Sequence, residues 1–518
     1  MSKTDVLIVG AGPTGLVLAL WLQKQGITVR IIDKTAAPGP TSRAMAVQAR
    51  TLELYRQLGL TEEVIAAGLK NPAANLWVKG KRKTHIEFRD AGAEVSPFPY
   101  ILMFPQDLHE RLLIRHLESA GCRVERQTEL VDFQETAQGV SARLRLPTGE
   151  EQVCDATYLA GCDGARSFVR HKLGAGFPGG TYEQIFYVAD VQITGEAANG
   201  EMHISLETSD FVALFPYGQP GQGRLIGTVK DESAERESTL TFQDVSSRAI
   251  ESLGLEVQKV TWFSTYRVHH RVTESYRSGR AFLVGDAAHV HSPAGGQGMN
   301  TGIGDAINLA WKLAAVLKNL APDALLDTYQ TERMAFARKL VSTTDRVFSF
   351  MTADGDFADF ARTQIMPIFA RLAFKLGSVQ EIMFRVLSQT TLSYPDSPLS
   401  QGDAGKVHGG DRLPWVPGDG ADNHAPLSAI TWQVHVYGSP TDELRAWCGA
   451  RGLPLHVVPW SKACAEAGLA RDATYLLRPD TYVAIADSTG SPDVLESYFA
   501  RLGLRLGEPG AHPRPGLA

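Results

Sequence analysis

Cysteine is scarce and unpatterned in this sequence. Its 518 residues carry five cysteines, Cys122, Cys154, Cys162, Cys448 and Cys464, with no CxxC pair and no metal-ligand spacing. That pattern argues against a disulfide framework or a metal centre and fits reduced thiols in a cytosolic protein. A basic excess is also missing, the formal net charge being −6. Nucleic acid is therefore not an expected partner, because a phosphate backbone wants a basic face. The one basic run, Lys79-Gly80-Lys81-Arg82-Lys83, surrounds a glycine and reads as a solvated hairpin turn. No apolar run is long enough to span a bilayer, and the most apolar, Leu16 to Leu22, fits the first helix of a nucleotide-binding unit. The N-terminus enters a strand directly, without the regions of a signal peptide. The expectation is a cytoplasmic protein with no membrane span.

What is present begins with a strand, a glycine turn and a helix: Asp5-Val6-Leu7-Ile8-Val9-Gly10-Ala11-Gly12-Pro13-Thr14-Gly15-Leu16. Gly10 allows the tight turn, Gly12 lets backbone approach a pyrophosphate, and Gly15 lets helix and strand pack closely. The helix, over 12–25, offers free N–H groups and a positive dipole end to phosphates. A second strand over 28–33 ends in Asp33, where a carboxylate can accept hydrogen bonds from an adenosine ribose. Together these form a βαβ unit that points to a dinucleotide; the alternative is a tight βα turn with no ligand. A second GxGxxG is absent, so no separate nicotinamide domain is indicated.

Farther along, helices are expected at 42–58 and 106–120, with strand-like alternation over 75–104. Residues 182–230 are β-rich, parted by glycine and proline, and read as an antiparallel insertion able to wall a pocket. A buried strand, Ala281-Phe282-Leu283-Val284, runs into Gly285-Asp286-Ala287-Ala288-His289. Helical signal covers 298–318 and dominates 325–388. Residues 395–424, rich in Pro, Gly and Asp, show no apolar period and read as a linker. The order β-α-β-α-β-β-α over 431–502 resembles a thioredoxin-like fold without the CxxC that redox chemistry there would need.

Gly10–Gly15, Asp163-Gly164 and Gly285-Asp286 resemble the three motifs of the class A flavoprotein monooxygenases, the family of para-hydroxybenzoate hydroxylase and phenol hydroxylase. Ser42-Arg43-Ala44 before a helix, Gln106 in Phe104-Pro105-Gln106-Asp107-Leu108, and Pro293-Ala294-Gly295-Gly296-Gln297-Gly298-Met299-Asn300 also match. The resemblance covers residues 1 to about 390, and the tail is similar to that of the larger aromatic hydroxylases, including those that tailor polyketides. It implies an α/β fold. A Rossmann-like FAD-binding domain (1–74, 101–178 and 277–340) is interleaved with a β-sheet substrate-binding domain (75–100 and 179–276). A helical segment (341–394), the linker (395–424) and a thioredoxin-like domain (425–518) follow.

The resemblance implies an FAD-dependent monooxygenase that hydroxylates a phenolic or polyketide-like aromatic substrate. NADPH or NADH is the transient reductant, and O2 reacts through a C4a-hydroperoxyflavin. A monomer or homodimer is admissible. FAD contacts are implied for Gly10, Gly12, Pro13, Thr14, Gly15, Asp33 and Lys34, and Asp286 after Gly285 would meet the ribityl chain. Pro293, Gly296, Gln297, Gly298, Met299 and Asn300 would lie about the flavin ring, where a helix N-terminus stabilises negative charge. Arg43 would meet the pyrophosphate or the nicotinamide cofactor, or be a surface arginine. Gln106 would contact flavin, or be an exposed helix start. Asp163 and Arg166 would handle FAD and NADPH, or form a plain Asp-Gly turn. His203, Phe215, Tyr217, His291 and Pro293 are pocket candidates. His289 and His291 could relay a phenol proton or pack against the loop. No covalent nucleophile is needed and no catalytic residue is assigned. Other readings are a Baeyer–Villiger or epoxidising flavin monooxygenase and a non-catalytic, ligand-sequestering flavoprotein. The Trp-x-Trp-x-Ile-Pro signature of flavin halogenases is absent.

Overall fold

The computed structural model describes residues 2–39, 44–207, 211–229, 240–245, 247–292, 296–352, 377–418 and 422–506. The strand Ser2–Val9 is apolar at its end, with Val6, Leu7, Ile8 and Val9 all buried, as suits the middle of a parallel sheet. It pairs in parallel with Glu151–Gly161 on one side and Val29–Ile32 on the other. Ala281–Leu283 and Val124–Glu125 extend the sheet outward, also in parallel. Ile32, Val9, Gly161 and Leu283 lie in one register row. Asp33, the Gly10–Gly15 turn, Cys162-Asp163 and Gly285-Asp286 therefore all leave from one edge of the sheet. These are the carboxyl ends of parallel strands, where open α/β sheets bind ligands.

The helix Pro13–Lys24 packs along the helix Gly298–Leu317. The approach is close at the glycines: a Cβ on Gly302 would strike Thr14 Oγ1, and one on Gly285 would lie 2.7 Å from the same atom. Two helix N-termini are thereby drawn together above the sheet edge.

A second, mostly antiparallel sheet is built around Gly179–Gly195, flanked by Leu255–Val272 and Gln222–Val229. Phe211–Pro216, Met202–Leu206, Ala73–Val78 and Lys81–Glu87 complete it. His289–Val290 pairs with the end of Leu255–Val272, so this sheet is continuous with the chain that follows Gly285-Asp286. One face packs on the helix Ser247–Glu251 and the Leu253 that follows it, through Tyr187, Leu214 and Leu225. The other carries Phe186, Val188, Ile226, Tyr266 and Trp262, while Phe215 and Tyr217 pack against the core of the first domain.

Three segments differ from the elements their sequence predicts. The helix expected at 42–58 starts only at Ala49. Ala46–Val47 is instead a strand against Ile101–Met103, because the Asn300 side chain takes up Ala46 O and the Gln48 N–H. Residues 88–92, read as strand-like, form a short helix, Phe88–Gly92. The described part of the expected linker, residues 395–418 and 422–424, packs as a strap, burying Leu399, Ala404, Val407 and Leu413. Glycine makes this possible, since a Cβ at Gly410 would strike the Tyr394 backbone.

The C-terminal unit orders its strands Leu455–Val458, Gln433–Tyr437, Thr474–Leu477 and Val483–Asp487, the first pair parallel and the rest antiparallel. Buried ion pairs dock it. Arg412 clasps Glu53 at 2.8 and 2.6 Å, and Arg478 clasps Glu332 at 2.6 and 3.0 Å. Trp311 Nε1 donates to Asp480 Oδ2 at 3.0 Å. Among the described residues, no helix is long and apolar enough to cross a membrane.

Candidate functional site

The glycine turn shows what each glycine is for. Gly10 has φ +105°, and a Cβ there would lie on the Cys162 backbone; at Gly15 it would meet Gly10 O. Gly12 differs: its φ of −76° suits any residue, and a Cβ would meet nothing within 4 Å. The space over Gly12 is the approach a pyrophosphate needs. No side chain caps the helix that starts there, so its N–H groups remain available to an anion. Asp33 Oδ2 accepts the Ala11 N–H at 2.8 Å, while Oδ1 holds Thr35. Lys34 beside it is exposed. Arg126 arrives from another strand end, 3.6 Å from Asp33, with a buried Nη2 that has no protein partner. A guanidinium nitrogen left over from the Asp33 pairing, an open glycine and a free helix start fit the phosphate and adenosine end of FAD.

Gly285-Asp286 is held from beneath. Asp305, fully buried, accepts the Gly285 N–H at 3.1 Å and pairs with His289 Nε2 at 2.6 Å and Arg333 Nε at 2.5 Å. Burial raises the Asp305 carboxyl, but Arg333 and His289 outweigh it and hold the group below the usual range. Arg333 also donates to Tyr394 Oη and Thr301 O. His289 is thus fixed in the core, stacked on Tyr276. Asp286 stands exposed in an otherwise buried segment, at the sheet edge.

Asp163 is tied to the helix that follows it. Its carboxylate accepts Ser167 Oγ at 2.5 Å and the Val169 N–H at 3.1 Å, capping the helix Phe168–Lys172. That helix carries Arg170, which donates to Ala287 O at 2.8 Å and so fixes the Gly285–Ala287 turn. Arg166 points to solvent from the same loop.

Residues 296–300, at the start of Gly298–Leu317, are tied to the scaffold. Asn300 accepts Gln48 N and Thr51 Oγ1 and donates to Ala46 O and Gly296 O, so its side chain is spent on the scaffold. Gln297 donates to Val386 O, Met299 is half-buried, and Gly296 is exposed with φ +61°. No side chain caps Gly298. Gln106 turns along its helix to Glu110 at 2.7 Å. Burial pushes the Glu110 carboxyl up. His291 donates from Nδ1 to Ser292 O at 2.7 Å, which leaves Nε2 a buried acceptor with no protein partner, facing Gly298. Burial pushes its pKa down to about 4. Pro293, Arg43 and Ser42 lie outside the described residues.

On the second sheet, Phe215 and Tyr217 share the face turned to the first domain. Burial, with Asp190 beside it, pushes the Tyr217 phenol up to about 12. His203 does not join them. It lies opposite Leu214 in register, on the face that packs against Ser247–Glu251. Trp77 Nε1 donates to its Nδ1 at 2.9 Å and its Nε2 donates to Asn199 Oδ1 at 2.8 Å. Period-two alternation turns it away, and both ring nitrogens are occupied. Asp305, Arg333, Arg170, Arg126, Asp190 and Arg224 were not anticipated; the visible hint for Asp305 was a carboxylate inside an apolar helical stripe.

A parallel sheet whose strand ends converge with two helix N-termini, facing an aromatic sheet, defines a flavin-dependent oxygenase scaffold. A family described as an FAD binding domain matches residues 3–344, and the chain belongs to that family. It is 37% identical over 439 residues to 6-methylpretetramide 4-monooxygenase of Streptomyces rimosus, covering 82% of this chain and 76% of the relative. Pentachlorophenol 4-monooxygenase of Sphingobium chlorophenolicum is 34% identical over 364 residues, covering 68% and 65%. The solved structure of the OxyS anhydrotetracycline hydroxylase from Streptomyces rimosus superposes with a TM-score of 0.76 at 27% identity, covering 96% of this chain and 99% of that one. The protein is an FAD-dependent monooxygenase of the aromatic-hydroxylase kind.

Proposed function

We propose that the protein hydroxylates an electron-rich aromatic ring, phenolic or polyketide-like, using NADH or NADPH and O2. The observation that carries this reading is the meeting of the three motif strands at one sheet edge opposite Phe215 and Tyr217. Gly12 and the start of Pro13–Lys24 would hold the pyrophosphate, Asp33 and Arg126 the adenosine end, and Asp286 the ribityl chain. The start of Gly298–Leu317 would lie by the ring. Bound there, FAD supplies electron transfer from the nicotinamide and oxygen transfer to substrate.

The protein's own work is positioning. Asp305 and Arg170 fix the backbone that presents Asp286. The uncapped N-terminus at Gly298 favours negative charge beside it. His291 Nε2 offers a neutral acceptor to a hydroxyl and, with its low pKa, orients a proton more readily than it stores one. The aromatic sheet face excludes water from the ring being oxidised. The unpaired, buried cysteines support placement in the cytoplasm. They also support a structural C-terminal unit, since burial pushes the Cys448 thiol up to about 11.

Anaerobic flavin-reduction kinetics with NADH and NADPH, followed by aerobic turnover of a phenol and polyketide panel, tests the reading. Reduction accelerated by an aromatic compound, with a hydroxylated product, is expected. Nicotinamide oxidation indifferent to every aromatic, with no oxygenated product, would support the ligand-sequestering alternative.

A further inference from the structure

The face of the second sheet that turns to the first domain carries one register row of four residues: Phe215, Arg224, Asp190 and Trp262. Arg224 and Asp190 are buried and joined bidentately, Nε to Oδ1 at 2.7 Å and Nη2 to Oδ2 at 2.8 Å. The guanidinium carbon lies 5.8 Å from the Tyr217 ring centre and 5.6 Å from that of Trp262. The wall is therefore three aromatic rings around a closed ion pair. Phe215 and Tyr217 pack against the core of the first domain, which places this wall between the two sheets.

A planar guanidinium is the group best suited to clamp a carboxylate, through two parallel hydrogen bonds. Here that fork is filled by Asp190. A substrate carboxylate would lose its hydration and meet both a spent cation and the Asp190 anion. Ring faces, by contrast, reward an apolar aromatic surface whatever its charge elsewhere.

We infer that Asp190 sets substrate specificity: by occupying Arg224 it makes the wall neutral, and the pocket selects uncharged phenols and fused aromatic rings over aromatic carboxylic acids. This rests on the hydroxylase reading above and names the substrate class for the same site.

The test compares matched probes on the FAD-loaded enzyme, phenol with 4-hydroxybenzoate and 2-naphthol with 3-hydroxy-2-naphthoate. Binding is read from the perturbed flavin absorbance, and product formation is measured alongside. The wild type is expected to bind each neutral probe at least about tenfold more tightly than its acid. Asp190→Asn frees the fork, so this ratio should shrink or invert, and the acids should raise the melting temperature of Asp190→Asn but not of the wild type. Asp190→Asn combined with Arg224→Gln should lose that gain. Acids bound by the wild type as tightly as neutral probes overturn the inference while hydroxylation of the neutral probes leaves the function standing. If Asp190→Asn proves too unstable to load FAD, the wild-type ratio decides alone. Failure of every probe to bind or react overturns both.

Discussion

Arg478 sits between two carboxylates in a fully buried cluster, bonded to Glu332 at 2.6 and 3.0 Å and to Asp480 at 2.9 and 2.6 Å. Lys312 reaches Glu332 from the other side at 2.8 Å. Against the cost of burial, these cations hold the Glu332 carboxyl far below the ordinary range. Arg478→Met would leave two buried acids sharing one lysine, a loss of about 3–5 kcal/mol. Glu332→Gln alone removes one acid but keeps the Arg478–Asp480 pair. Lys312, already pushed down to about 8 by burial, can then shed its proton, so the loss should be nearer about 1–3 kcal/mol. The double variant deletes the unpaired acid along with its partner. Its loss should fall short of the sum by about 1–3 kcal/mol. Urea unfolding followed by tryptophan fluorescence measures this, since Trp311 donates its N–H to Asp480 and reports the docked state. Additivity within about 0.5 kcal/mol, or an Arg478→Met protein as stable as wild type, would refute the claim that buried charge docks the C-terminal unit.

Three further outcomes are expected. Asp286→Ala should lose FAD without losing its fold, because Asp286 is exposed at the sheet edge while Gly285 is held by Asp305; stoichiometric flavin in the variant, with unchanged circular dichroism, would refute that role. Cys448→Ser with Cys464→Ser should leave turnover intact, since both thiols are buried and neither is in a disulfide, and a collapse of activity would make the C-terminal unit thiol-active. The buried His109, His203, His291 and His424 are pushed by burial to about 3, 4, 4 and 3. Their folded pKa values lie below the ordinary 6.5, so between about pH 6.5 and 4 the unfolded chain binds more protons and stability falls as pH drops. Each contributes up to about 1.4 kcal/mol per pH unit, and His203→Gln should flatten the slope of urea midpoints over that window; an unchanged slope would contradict it.

The nucleotide end of the site was legible because its chemistry lies in short runs. Gly10, Gly12 and Gly15 obey local rules of turn, approach and packing, and the structure gives each a different steric reason. The buried parallel strands and the helix at Gly298 were legible for the same reason, an apolar period uninterrupted by tertiary demands. What escaped reading depends on partners far apart in the chain. Asn300 reads as a ring-loop residue but spends its amide on Ala46 and Gln48, which also delays the helix expected at 42–58 until Ala49. His203 is one residue out of phase with a pocket position, and a single step along a strand reverses the face. Asp163 also accepts the Val169 N–H of the helix that carries Arg170, a tie that no short motif shows. The strap over 395–418 has no period because it contributes single core residues between turns.

The central claim is that this edge of the parallel sheet is built to hold FAD, with the open space over Gly12 as the approach to its pyrophosphate. FAD titration of the wild type and of Gly12→Val, each checked by circular dichroism and melting temperature, tests it most directly. The backbone at Gly12 suits valine and no protein atom lies within 4 Å of an added Cβ, so the variant should fold as the wild type does. One FAD per wild-type chain is expected, and a folded Gly12→Val protein that does not retain it. A wild type that binds no FAD, or a Gly12→Val protein that binds it unimpaired, would contradict the account.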